Sequence, residues 1–380
     1  MNPRVAALIE QGQSIWQDDI ARSMLTGGSL AAMISDVGVR GVTSNPTIFE
    51  KAIAAGSDYD SQIASLIEQG KSASEIFVSL AVDDIRAACD LFRPLYDASD
   101  GADGFVSIEV APDIARDADR TRDEVRQLWS AVDRPNLMVK IPGTVEGAAV
   151  IEEMLAEGKN INVTLLFSIE AYERVANAYI GALEKRHAGK LPIDRIASVA
   201  SFFVSRVDTA VDKMLDEKIS AASSGEAQEL AALKGKAAVA NARLAYSLFK
   251  DLFHSDRFDT LRAAGARPQR PLWASTGTKN PAYPDTLYVD TLIGPHTVNT
   301  MPSKTIQAFL DHGTVRRTVD EDFDGATQVM RALEKAGIDF SAVTARLEDE
   351  GIDLFIKSFE QLLDGVESKR AEIAETVAAG

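Results

Sequence analysis

Thiols, imidazoles and long apolar runs are all scarce in this chain of 380 residues. Cys89 is its single cysteine, which excludes an intrachain disulfide and every multi-cysteine metal site. The four histidines, His187, His254, His296 and His312, stand far apart, so the spacing of a zinc cluster is missing. No segment reaches about eighteen uninterrupted apolar residues, and MNPRVAALIEQGQSIWQDDI at the beginning lacks an apolar core of signal-peptide length. These absences predict a cytoplasmic protein without a membrane partner. Basic residues are outnumbered as well: 40 lysines and arginines face 57 aspartates and glutamates, a formal charge of -17. Such a surface repels nucleic acid and anionic membrane, so an anionic substrate requires a local basic site.

What the chain does have is enough apolar material, 46% of residues, for a large core. Short apolar runs recur, each followed by polar or small residues and then a longer helical pattern. They cover 14–19, 37–46, 104–110, 136–142, 160–168, 195–206, 270–276 and 294–302. Eight such units are the number that closes a parallel barrel. Between them, 74–92, 121–129, 144–155 and 168–183 carry apolar positions at helical spacing. The alternation predicts an α/β fold, a (β/α)8 TIM barrel formed by residues 1–380 as a single domain. Extra helices are expected at about 48–72, at 207–253 with a break at 219–226, and at 321–379, where three or four helical patterns follow one another.

The run LMVKIPG, 137–143, sets Lys140 at the end of an apolar segment. An ammonium drawn out of water gives up its proton more readily, and a neutral amine can form a Schiff base with a carbonyl. A strand-end lysine can equally snorkel to solvent or pair with an acid. The other strand ends decide between these. They gather Asp18 or Asp19, Asn45, Glu109, Asn162 with Thr164, Ser201 with Arg206, Ser275 and Asn299. Barrel enzymes collect their reactive groups at these ends. Helix capping accounts for some of the Asn, Asp, Ser and Thr, but not for lysine or glutamate. Glu109, on the segment before Lys140, is suited to shuttle protons during imine formation. Asn162 and Thr164 share a strand face and can hold a water or a substrate hydroxyl. One of the two adjacent aspartates can cap the first helix while the other enters the pocket. Arg206, with Ser275 and Lys279 in the turn STGTK, suits a phosphate monoester. STGTK lacks the G-x-x-x-x-G-K frame of a P-loop.

In the same order, GVTSNPTIFEKAI (41–53), VSIEV (106–110), VKIPGTVEG (139–147), INVTLLFS (161–168) and ASFFVSR (200–206) resemble the transaldolases. Residues 273–302, WASTGTKNPAYPDTLYVDTLIGPHTVNTMP, resemble the longer bacterial form nearly throughout. The resemblance spans roughly residues 10–370 and implies a (β/α)8 barrel that moves a dihydroxyacetone unit between sugar phosphates without metal or organic cofactor. It implies Lys140 as the Schiff-base lysine, Glu109 as the proton-shuttling glutamate, Thr164 as the residue positioning the catalytic water, and Asp18 as the acid-base aspartate. Asn45, Asn162 and Ser201 would hold the donor hydroxyls and Arg206 the phosphate. Shorter members place a serine and an arginine after the seventh strand. Here Ser275 matches the serine, and Lys279 substitutes for the arginine. The partners expected are phosphorylated ketoses and aldoses. Two alternatives remain at this stage: a class I aldolase that releases the three-carbon unit, and a noncatalytic sugar-phosphate-binding barrel.

Overall fold

The computed structural model describes residues 1–44, 48–49, 52–53 and 56–379. Its centre is a closed ring of eight parallel strands in chain order. They are β1 Gln13–Gln17, β2 Gly41–Val42, β3 Phe105–Glu109, β4 Leu137–Pro142, β5 Ile161–Leu166, β6 Ser198–Phe203, β7 Arg270–Ala274 and β8 Thr297–Met301. Pairing of β1 with β8, from Gln13 opposite Thr297 to Gln17 opposite Met301, closes the ring. The expected (β/α)8 barrel is therefore present. Strands of such a ring are covered by helices outside and by side-chain layers inside, so they bury both faces. β4, β5 and β6 are accordingly buried at every residue.

Caps turn the chain at the C-terminal ends of the strands. Thr144, just past β4, accepts the Gly147 N–H and opens the helix Val145–Ala156. Ser168, just past β5, accepts the Ala171 N–H and opens Ile169–Ala188. Each cap is worth about 1 kcal/mol, and each ends its strand at a defined residue on the mouth of the barrel. After β3, Asp117 caps Ala118–Val132 in the same way.

Several boundaries depart from the sequence expectations. The first helix after β1 begins at Arg22 with Ala21 at its N-cap, so neither Asp18 nor Asp19 caps it. Within 48–72, one helix is fully described, Asp60–Glu68, and Ile48, Phe49, Ala52 and Ile53 are also helical. Residues 207–253 do break within the expected 219–226, although Gly225 itself lies inside the helix Ser224–Ala231. The breaks fall at 222–223, after Ser205–Ala221, and at 232–236, before Ala237–Phe253. Gly235, at φ +70°, supplies the left-handed turn at the second break. The tract 321–379 forms two helices rather than three or four, Phe323–Lys335 and Phe340–Ala379.

The last helix, Phe340–Ala379, lies over the C-terminal mouth of the barrel. Gly351 brings its backbone down onto β5, since a Cβ there would stand 3.0 Å from Leu165 Cδ2. Further along, Phe359 meets Phe77 edge to face at 5.8 Å. Among the described residues no helix is long and apolar enough to cross a membrane.

Candidate active site

Parallel register places Glu109 of β3 beside Lys140 of β4. Lys140 Nζ lies 3.2 Å from Glu109 Oε2 and donates to the Ser44 carbonyl at 3.4 Å. Lysine is almost never buried without a partner, and Lys140 is 5% exposed, so this carboxylate is what keeps the amine inside. Burial pushes the Glu109 carboxyl above the usual range. Lys140 opposes the shift by charge and hydrogen bonding, and Asp18 adds to it by like-charge repulsion. Glu109 Oε1 has no hydrogen-bond partner among the described residues.

Above this pair the strand ends enclose a cavity of about 140 Å³. Asp18, Lys140, Thr164, Ser201, Arg206, Ser275 and Lys279 all line it, although they come from five different strand ends. Asp18 Oδ1 accepts the Thr43 hydroxyl at 2.7 Å, and Thr43 Oγ1 lies 2.8 Å from Thr300 Oγ1. Ser201 donates to Asn162 Oδ1 at 2.7 Å, and Asn162 Nδ2 donates to Ser107 at 3.0 Å. Asn162 is thus fully enclosed and hydrogen-bonded below the cavity, whereas Thr164, two residues along the same strand, reaches its wall. The Thr164 hydroxyl oxygen is buried with no partner among the described residues. The register of β5 shifts between Val163 and Leu166, and Leu165 takes a left-handed φ of +59°. Such irregularities cost energy and re-aim side chains where a site requires it.

The basic side of the cavity is built from the first turn of Ser205–Ala221 and the turn after β7. The Arg206 guanidinium stands 5.5 Å from the Phe203 ring. Burial lowers its pKa from the usual value, with Glu350 opposing from a distance, and among the described residues no carboxylate pairs with it. Asp208, the obvious local partner, instead accepts the Tyr288 hydroxyl and the Ala238 N–H, each at 2.8 Å. Ser275 sits at φ +55°, with its hydroxyl 3.0 Å from that of Ser205. Lys279 is exposed at the rim. A partly desolvated cation without a carboxylate, flanked by hydroxyls, has the chemistry to accept an anion. Asn45 lies outside the described residues. Asn299 does not reach the cavity: it accepts the Thr276 hydroxyl at 2.9 Å and donates to the Tyr288 carbonyl.

Comparison with known proteins agrees with this geometry. A family model described as transaldolase/fructose-6-phosphate aldolase matches residues 15–366. A protein named transaldolase from Thermobifida fusca is 50% identical over 372 residues, covering 98% of this chain and 99% of its own. Another from Saccharopolyspora erythraea is 52% identical over 366 residues, 96% and 97% of the two chains. One from Trichodesmium erythraeum is 48% identical over 361 residues, 94% and 95%. The chain belongs to the transaldolase/fructose-6-phosphate aldolase family.

For a member of this family the cavity contains residues that sequence reasoning did not single out. Thr43 and Thr300 orient Asp18, and their signal was only the period-two alternation that puts them on the inner face. Phe203 lies two residues beyond Ser201 on the same face and was readable in that way. Phe355 comes from the final helix and carried no such signal. Among the described residues no three His, Cys, Asp or Glu side chains gather as metal ligands would. The groups present are a buried amine, two carboxyls in unlike surroundings, and a guanidinium flanked by hydroxyls.

Proposed function

We propose that this chain is a transaldolase of the cytoplasm, transferring a dihydroxyacetone unit from sedoheptulose 7-phosphate or fructose 6-phosphate to an aldose phosphate. The observation that carries this reading is the buried Lys140 amine, 3.2 Å from Glu109, in a cavity shared with Asp18 and Arg206.

In this mechanism Lys140, as the free amine, attacks the C2 carbonyl of the ketose, and Glu109 moves the protons that turn the carbinolamine into an imine with loss of water. The raised proton affinity of the Glu109 carboxyl suits it to hold a proton and return it. The protonated imine withdraws electrons from the C3–C4 bond. Asp18 takes the proton of the C4 hydroxyl, that bond breaks, and the aldose phosphate leaves. The three-carbon enamine remains on Lys140 until its C3 attacks the aldehyde of erythrose 4-phosphate or glyceraldehyde 3-phosphate. Water held by Glu109 and Thr164, whose Oε1 and Oγ1 are both buried without a partner among the described residues, then hydrolyses the new imine. Ser201, with Asn45, holds the hydroxyls of the donor, and Asn162, enclosed below the cavity, fixes Ser201 through its Oδ1. Arg206, Ser275 and Lys279 hold its phosphate, so remote binding energy places C2 against the amine.

Borohydride reduction in the presence of fructose 6-phosphate tests this directly. The expected product is a stable three-carbon adduct on the peptide containing Lys140. A protein that binds the sugar but leaves Lys140 unmodified is not a Schiff-base enzyme. Omission of the aldose phosphate separates transferase from aldolase: turnover falls sharply in the first case and persists in the second.

A further inference from the structure

One wall of the cavity comes from no strand. Phe355, on the helix Phe340–Ala379, is 9% exposed and its ring centroid stands 5.6 Å from Lys140 Nζ. Its position is fixed on both sides. One turn earlier, Gly351 has only hydrogen where a Cβ would press on Leu165 Cδ2, and Phe167 lies just beyond at 3.7 Å. One turn later, Phe359 packs on Phe77 with an interplanar angle of 72°, and Leu362 and Val366 are fully buried. Ile352, Phe355, Phe359, Leu362 and Val366 follow the spacing of a helix that buries one stripe. Leu354, the adjacent residue, is 51% exposed, so the rotation of the helix puts the ring over the amine.

The cavity wall is otherwise rich in groups that hold water: Asp18, Thr43, Thr164, Ser201 and Thr300 each present oxygen. Phe355, like Phe203 and Ala274, presents none. At about 140 Å³ the cavity is smaller than the roughly 300–1,000 Å³ usual for small-molecule pockets. It matches a three-carbon remnant on Lys140 better than an intact sugar phosphate surrounded by solvent.

We infer that Phe355 decides the fate of the enamine, favouring transfer over release by keeping water from its nucleophilic carbon. The inference rests on the transaldolase reading above. Once the aldose has left, C3 of the enamine has two courses. It can bond to the carbonyl carbon of an acceptor, whose oxygen takes the proton held by Asp18. Or C3 can take a proton from Asp18 or water, after which water adds to C2, the C2–N bond breaks, and dihydroxyacetone and the free amine result. The second course needs a proton donor at C3 while no acceptor is bound. A ring over the amine leaves no hydrogen-bonding partner for a water at that place. Phe355 is thus a positioning and shielding residue that takes no proton itself.

The test uses the full chain as wild type, Phe355→Ala, Phe355→Leu and Leu354→Ala. Fructose 6-phosphate is the donor, with and without erythrose 4-phosphate. Dihydroxyacetone release without acceptor, divided by transfer with acceptor, should rise about tenfold in F355A. It should lie between the extremes in F355L, which keeps an apolar cover and decides the matter where F355A does not fold. L354A should equal wild type. A ratio unchanged in F355A and F355L, with the borohydride adduct on Lys140 still formed, overturns the role of Phe355 alone. Absence of the adduct in wild type overturns the transaldolase reading and this inference together.

Discussion

Replacing Lys140 with methionine isolates the electrostatics of its pair with Glu109, because methionine occupies similar volume without charge. The two side chains are 7% and 4% exposed, so solvent cannot take the place of the lost ammonium. Lys140 supplies both influences that hold the Glu109 carboxyl down, while burial and Asp18 act in the other direction. Without the amine, both influences that lower the Glu109 carboxyl are gone, so its native pKa stands further above the value of about 4.3 it has in the unfolded chain. The folded protein then binds the Glu109 proton more tightly than the unfolded chain does, and stability falls by up to about 1.4 kcal/mol for each pH unit between the two values. The sign follows from the raised native pKa. The contribution is fully present below the unfolded value and is lost as pH rises toward the native one. K140M should therefore lose ground to wild type as pH rises above the unfolded value of about 4.3. K140M/E109Q, which has no group to titrate there, should stay level. Urea unfolding followed by the fluorescence of Trp16, Trp129 and Trp273 across this range measures the difference. Parallel pH curves for K140M and K140M/E109Q would refute the burial of Glu109 against an amine. The same K140M protein should show no turnover and no borohydride adduct.

Two further outcomes follow. Arg206→Ala removes hydrogen bonds to a charged group, each worth about 1.5–3 kcal/mol, so kcat/KM for fructose 6-phosphate should fall about 10- to 100-fold. The value for unphosphorylated fructose should change little, and an equal fall for both sugars would show that Arg206 does not bind phosphate. Burial pushes the Asp208 carboxyl up to about 6, so it takes a proton in the folded protein that the unfolded chain has lost above about pH 4. Its contribution to stability is present below that unfolded value and lost as pH rises through about 6. Asp208→Asn should gain on wild type by roughly 3 kcal/mol between pH 4 and pH 8 in thermal or urea unfolding, and a pH-independent difference would contradict it.

The barrel was legible because eight apolar runs each ended in polar residues, a pattern set by burial on both faces and chemistry at one end. Lys140 and Glu109 stood out for the same reason: neither caps helices, and adjacent strands bring them together. Arg206 and Ser275 were legible as anion-binding types at strand ends. What escaped was long-range. Phe355 belongs to an amphipathic helix whose stripe shows that it packs, but not that its partner is an amine more than 200 residues earlier. The break expected within 219–226 was legible from its polar composition, whereas the second break at 232–236 was not. Gly225 lies inside a helix, and Gly351 serves close approach, while Gly235 does turn the chain. The aspartates after β1 were misassigned as a cap because the helix starts three residues beyond Asp19.

The order of synthesis gives the Gly351 contact a further meaning. A ribosome delivers every strand, through Met301, before Phe340 begins the final helix. The ring can pair and close while Lys140 is still open to the cell and its metabolites. The amine is covered only when the last helix settles onto β5, so a barrel that closes during synthesis closes with Lys140 uncovered.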